Sequence, residues 1–243
     1  SSGLKPSFKH TSIYDFQIHI PGKPLIPLHS SEPFFHIISR GNTPGDLDYE
    51  IQRQVENSGI SIMFNTQVDL NNMDIVATGS HKAAAYIQGV VFESDAQNQV
   101  HLILGNKIAP FGYGYIIIID GKGTLAVAFK KGKYYSASLL ENIIAFTENN
   151  IKINMEDRNL FGSFGSFDIQ QIKCDRYNKL FIGEAGGFQD YLFGFGIQYA
   201  IKSGLFAAKS ISENVPFNKL WKKELKNYMY TSYINRKLFE KLN

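Results

Sequence analysis

The residues best suited to chemistry lie late in the chain. Leu180-Phe181-Ile182 reads as a short apolar strand, and it runs directly into Gly183-Glu184-Ala185-Gly186-Gly187. After a short link, Gly194-Phe195-Gly196 opens a segment with helical periodicity. Glycines let a backbone approach a bulky ligand closely. A helix start presents unpaired N–H groups and a positive dipole end. Together they suit a ligand with anionic or carbonyl oxygens. The plainer reading, a strand–loop–helix junction with flexible glycines, stays open on composition alone. The spacing is not the dinucleotide fingerprint, because Tyr199 occupies the third glycine position and the strand ends well before Gly194.

A second group sits mid-chain, in Ala109-Pro110-Phe111-Gly112-Tyr113-Gly114-Tyr115-Ile116-Ile117-Ile118. Tyr113 and Tyr115 are two apart on a strand candidate, so their rings share one face. Gly112 and Gly114 leave the other face bare for close packing. Such a face suits an apolar cavity and equally suits a hairpin core. The 19 Phe and 13 Tyr leave the same pair of readings open: core filling, or a cavity for a large apolar or planar ligand. The six His are scattered without H-E-x-x-H spacing, and no metal site is read. The single cysteine, Cys174, rules out a disulfide within the chain and a cysteine-held zinc or iron–sulfur centre. No acid–base dyad stands out, so no catalytic residue is assigned.

The elements that must position these groups follow from periodicity. Ile13 to Ile20 and Phe34 to Ser39 read as strands, with Pro21, Pro24, Pro27 and Pro33 marking turns and edges. Leu47, Ile51 and Val55 share a helical face, Asp46 stands where a cap is needed, and Gly59 stops the helix. Ile60, Ile62 and Phe64 alternate as a strand. Met73 to Ala77 reads as a short buried strand ending in Thr78-Gly79. Val100 to Leu104, Gly112 to Ile119 and Thr124 to Phe129 are longer strands, and Asp120-Gly121 turns the last two into a hairpin. A helix is predicted over Ser138 to Asn149, and strand signal resumes near Phe164 to Ile172. The helix after Gly196 has an apolar face of Ile197, Ala200, Ile201, Gly204, Leu205, Ala208 and Ile211.

Composition bounds the class. The chain has 243 residues, 44% hydrophobic and 19% charged, which describes a globular protein large enough for a full core. A net charge of +3 is too weak to argue for nucleic acid. The charge is uneven: from Phe217 to the end there are seven Lys or Arg against two Glu. Such a segment reads as a solvated basic face. With Trp221, Tyr228 and Met229 it also reads as a surface for peripheral contact with an anionic membrane. No apolar run is long enough for a transmembrane helix and no signal-peptide pattern is present, so the expectation is a soluble, cytoplasmic protein.

Several motifs, in order, resemble the geranylgeranyl reductase family of FAD-dependent oxidoreductases. Gly183-Glu184-Ala185-Gly186-Gly187-Phe188 through Gly194-Phe195-Gly196-Ile197 resembles its second FAD-binding motif, G-D-A-A-G-x…P-x-x-G-E-G-I. The chain continues in register with Tyr199-Ala200-Ile201-Lys202-Ser203-Gly204 and Ala207-Ala208. Arg40 through Asp48 to Gly59 resembles the family's R-G…L-D-x-x-L…G segment. Asp74-Ile75-Val76-Ala77-Thr78-Gly79-Ser80 resembles its second flavin-contact strand. Ala109 to Ile118 resembles the P-x-x-Y-x-W-x-F-P segment that lines the family's substrate cavity. The departures are Glu184 for Asp, Tyr191 for Pro, Phe195 for Glu, Tyr115 for Trp, and Ile117-Ile118 for Phe-Pro. No G-x-G-x-x-G follows a first strand, so the family's N-terminal unit for the FAD pyrophosphate has no counterpart among these residues.

The resemblance implies an α/β fold of the para-hydroxybenzoate hydroxylase type. A partial, discontinuous Rossmann-like FAD-binding domain over 1–84 and 173–214 would receive a mainly antiparallel substrate domain over 85–172. A C-terminal helical segment would cover 215–243. It implies FAD as cofactor, with Arg40, Thr78, Gly79, Gly183, Glu184, Ala185, Gly187, Gly194, Phe195, Gly196 and Ile197 as its contacts, Glu184 towards the ribityl chain. Tyr113, Tyr115 and Ile117 would contact substrate. The implied reaction is saturation of carbon–carbon double bonds in the isoprenoid chain of a lipid or lipid precursor, with NAD(P)H or ferredoxin as electron donor. The alternatives are a flavin monooxygenase or halogenase on the same fold, and a truncated, non-catalytic lipid-binding protein. Without a pyrophosphate site, weak FAD retention is expected.

Overall fold

The structure is a computed structural model, and it describes residues 5–80, 83–130, 138–165, 174–176 and 179–242. Its largest element is a seven-stranded sheet. In chain order the strands are β1 (His10–Ile13), β2 (Asp15–His19), β3 (Ile26–His29), β4 (Phe35–Ile38), β5 (Ile75–Val76), β6 (Ala85–Glu93), β7 (Gln99–Ile103), β8 (Tyr113–Ile119), β9 (Lys122–Lys130), β10 (Glu156–Gly165), β11 (Asp175–Arg176) and β12 (Lys179–Phe181). The large sheet runs β10-β6-β9-β8-β7-β2-β3, and every pair is antiparallel except β7 with β2. The β8–β9 hairpin turns on Asp120 and Gly121, both at positive φ, with Ile119 paired to Lys122. That is the two-residue turn whose twist matches the strands.

One face of this sheet is packed by α2 (Ser138–Phe146). Ile103, Ile116, Ile118, Leu125, Val127 and Phe129 form the buried layer with Leu139 and Ile143 from the helix. Gly114 makes room for that contact: a Cβ there would lie 2.2 Å from Ile143 Cδ1. The bare strand face read from the sequence is therefore the face on which α2 packs.

Strands β1 and β4 pair antiparallel as a separate two-stranded sheet, and a small three-stranded sheet is ordered β11-β12-β5, with β12 and β5 parallel. Helix α3 (Ile197–Ser212) follows it, then α4 (Phe217–Glu224) and α5 (Lys226–Leu242). Phe188, Tyr191, Tyr199, Phe206, Phe217, Trp221, Leu225 and Met229 form a second core around these helices. No helix among the described residues is long and apolar enough to cross a membrane.

The structure departs from the sequence reading at several points. Ile60 to Phe64 forms no strand, and Ile60, Met63 and Phe64 stand in water. Strand β10 begins at Glu156, ahead of the strand signal expected near Phe164, and residues 166–173 lie outside the described residues. Strands β2 and β3 join the large sheet although they precede the boundary expected at residue 84, because strand periodicity does not say which sheet a strand joins. On α3 the buried residues are Tyr199, Ser203, Phe206 and Ala207, while Ile211 is exposed. The expected apolar face of α3 is only partly covered: Gly204 lies near Ile182 and Ala200 near Gly183, just past β12, while Ala200, Ala208 and Ile211 are exposed. Asp46 occupies the N-cap of α1 (Leu47–Asn57) without capping it; its carboxylate accepts from Ser39 and Thr43 in the preceding loop. Trp221 and Met229 are buried and face the core rather than any membrane.

Candidate functional site

Parallel pairing of β12 with β5 brings their carboxyl ends to one edge, where an α/β sheet offers a crevice to ligands. One end delivers Thr78 and Gly79, the other Gly183. Gly183–Gly186 forms a single 3-10 turn, closed by Gly187 at φ 84°. Ser203 of α3 clamps this turn: its Oγ accepts the Gly183 N–H at 2.9 Å and donates to the Ala200 carbonyl at 3.0 Å. The Tyr191 hydroxyl donates to the Gly187 carbonyl at 2.6 Å.

The link to α3 is folded on itself. Asp190 Oδ2 accepts the Phe193 N–H at 2.6 Å, and the Asp190 N–H donates to the Phe195 carbonyl at 2.9 Å. Burial pushes the Asp190 carboxyl above its ordinary range, against the N–H donors of Phe193 and Gly194. Gly194 closes the loop at φ 77°, a conformation side chains resist. Two cross-links fix the loop to the large sheet. The Tyr113 hydroxyl donates to the Phe193 carbonyl. Arg236 of α5 donates to the carbonyls of Leu192 and Phe111.

These contacts border a solvent-open cavity of about 220 Å³. Ile87 of β6, Tyr113 of β8, and Phe164 and Gly165 of β10 form one wall. Glu184, Gln189, Phe193, Gly194 and Gly196 form the other. Burial pushes the hydroxyls of Tyr113 and Tyr115 above their ordinary pKa, so both stay protonated donors at neutral pH. Gln189 is 4% exposed and its Nε2 has no hydrogen-bond partner. A buried amide left unpaired costs about 1–3 kcal/mol, which a ligand acceptor would recover. Ligand sites for whole drug-sized molecules run to roughly 300–1,000 Å³. This cavity is smaller and suits one fused ring system with a carbonyl edge. The isoalloxazine of a flavin has that shape and chemistry, and the glycines of the loop let it approach the backbone.

The site residues expected from sequence divide into three groups. Tyr113, Glu184, Gly194 and Gly196 meet in the cavity. Gly183, Ala185, Gly187 and Ile197 frame it from the turn and the α3 start, Ala185 packing under the turn with Val76 and Phe181. The remainder stand apart from its lining. Phe195 is 54% exposed and stacks on Phe193 and Phe35. Tyr115 and Ile117 continue the Tyr113 face of β8 beyond the cavity. Thr78 and Gly79 sit at the β5 end. Arg40 forms a two-pronged ion pair with Asp48 at 2.6 and 2.7 Å on the surface. Gln189 escaped sequence reading, because a glutamine beside a glycine turn carries no distinctive pattern. A shallower groove of about 170 Å³ between β1, β2 and Asn98–Val100 contains none of the expected site residues. Among the described residues no His, Cys, Asp and Glu gather as a metal site.

No family model and no curated protein matches the sequence. Solved structures do. A geranylgeranyl bacteriochlorophyll reductase-like protein from Thermoplasma acidophilum superposes with a TM-score of 0.66 at 18% identity, over 94% of this chain and 71% of that one. The peptidyl tryptophan dihydroxylase QhpG gives 0.59 at 12% identity, over 95% of this chain and 59% of that one. The tetracycline destructase Tet(55) gives 0.50 at 14% identity, over 92% and 71%. At such identities the likeness establishes fold rather than reaction. The chain thus has the mixed α/β fold of these structures, and it spans roughly three fifths to seven tenths of these neighbours' lengths.

Proposed function

We propose that this chain forms the ring-binding and substrate-binding part of a flavin-dependent reductase that saturates carbon–carbon double bonds of isoprenoid lipids. The observation that carries the reading is the convergence of the glycine loop, the unpaired Gln189 amide and Tyr113 on one ring-sized cavity. When bound, the reduced flavin supplies the hydride. The chain's own residues would orient it. The Gly194–Gly196 backbone would lie against the ring, Gln189 Nε2 would donate to a carbonyl of the group, and Glu184 would accept from its hydroxyls. Ile87, Tyr113, Phe164 and Phe193 exclude water and present an apolar surface to a hydrocarbon chain. The likeness to a reductase-like protein supports this direction of chemistry.

The likeness to a dihydroxylase supports a second reading, oxygen insertion on the same frame. The two are separable in one experiment. The chain is supplied with chemically reduced riboflavin and a geranylgeranyl lipid, without and with oxygen, and the products are weighed. Gain of two hydrogens per double bond without oxygen is expected. Oxygen incorporation, or no change while riboflavin is bound, would contradict the reductase reading.

A further inference from the structure

We propose that the outward face of α5 is a docking surface for an anionic lipid bilayer. The helix has two faces. The inward one is anchored by Met229, Ser232 and Arg236, all buried. The outward one carries Tyr230, Ile234, Leu238 and Leu242, spaced four apart and therefore in one stripe. Their exposures are 47%, 57%, 53% and 88%. The stripe extends for about 18 Å along the helix at the usual rise. Scattered exposed leucines need no explanation, but a continuous apolar stripe along a helix does.

Charge selects the occupant. Lys226, Lys237 and Lys241 are exposed along the same helix. The Lys226 ammonium lies 5.8 Å from the Tyr230 ring, and Lys237 lies 5.3 Å from that of Tyr233, so their stems run along aromatic surface. The single carboxylate of α5, Glu240, is 15% exposed and bonds inward to Lys130 and Arg236 at 2.8 and 2.9 Å. The outward face therefore presents apolar groups and an excess of cations: Glu240 is shared by Lys130, Arg236 and, at 3.9 Å, Lys237, while Lys226 and Lys241 are exposed beside the stripe. A second copy of this face would bring lysines against lysines. Anionic headgroups pair with the lysines while the stripe enters the acyl boundary. Arg236 ties α5 to the Leu192 carbonyl, next to cavity-lining Phe193, so docking would hold the cavity wall near the membrane. The inference stands on the α5 surface alone and does not depend on the flavin reading.

The test is co-sedimentation of the whole chain with phosphatidylcholine vesicles, with and without phosphatidylglycerol. Binding to the anionic vesicles that weakens with added salt is expected. Ile234→Asp with Leu238→Asp should weaken it about tenfold or more, since both would enter the acyl boundary. Lys226→Gln with Lys237→Gln should weaken it by up to about twenty-five-fold at low salt, about fivefold per lysine. Both variants alter exposed side chains, and unchanged circular dichroism checks that they fold. Equal binding to neutral vesicles, no binding, or variants that bind like the parent would overturn the proposal. So would sedimentation analysis in which the parent is a dimer and Ile234→Asp/Leu238→Asp a monomer, because the stripe would then be an interface between copies.

Discussion

The seven-stranded and three-stranded sheets of this protein are built to different degrees of completion. The large sheet closes a core of fourteen buried residues under α2, and glycines on its strands let side chains interlock. Among the described residues the small sheet buries Val76 and Phe181 with Ala185 on one side and packs Leu180 against the helical core on the other, and β5, two residues long, stands at its edge. Leading into β5, Ile60, Met63, Phe64, Val68 and Leu70 are exposed. The cavity lies where the two meet. One wall therefore rests on the strands of the large sheet, and the other on a loop held by hydrogen bonds.

The largest expected effect comes from comparing core deletions. Ile143→Ala should destabilise the protein by about 3–5 kcal/mol, because Ile143 is wholly buried against Gly114 and neighbours that cannot collapse. Val76→Ala should cost about 1–2 kcal/mol, since the thin small sheet can relax around it. Urea unfolding of both variants measures the difference, and equal costs would break the contrast.

A second effect lies within the large sheet. His19 and His101 hydrogen-bond at 2.9 Å across the parallel β2–β7 pair, and Gln99 holds the other nitrogen of His101 at 2.7 Å. Burial, then the neighbouring His19, lowers the His101 pKa from 6.5 to about 4. Its folded value lies below its unfolded value, so the stability it confers is complete above about pH 6.5 and is lost as pH falls towards 4. Melting temperatures across that window should fall in the parent and flatten in His101→Gln. A parent melt that is level from pH 7 to about 4 would contradict this.

Much of the scaffold was legible in the sequence, and the reasons are local. Asp120-Gly121 names its hairpin, Leu47, Ile51 and Val55 name α1, and the glycine segments mark the loop beside the cavity. What was illegible depends on partners distant in sequence. The alternation of Ile60, Ile62 and Phe64 has no neighbouring strand to pair with here, and so remains coil. Trp221 and Met229 look amphipathic in sequence, yet they turn inward because α3 offers Phe206 and Tyr199 to cover them. Gln189 becomes notable only once folding buries its amide and leaves it unpaired.

The smallest effect is at that amide. Gln189→Leu keeps the side-chain volume and removes the donor, so riboflavin affinity should fall about tenfold, the worth of one buried hydrogen bond. Stability should rise or stay level, because the unpaired group is gone. Loss of stability without loss of affinity would return Gln189 to a packing role.

The most direct test of the central claim is a pair of fluorescence titrations of the purified chain, one with riboflavin and one with FAD. If the cavity grips the ring and these residues hold no pyrophosphate site, both flavins should be quenched with weak affinities equal to within about threefold, and the protein should purify without yellow colour. FAD binding about a hundredfold tighter than riboflavin, or a yellow protein with one flavin per chain, would contradict that division of labour. Quenching of neither would contradict the flavin site itself.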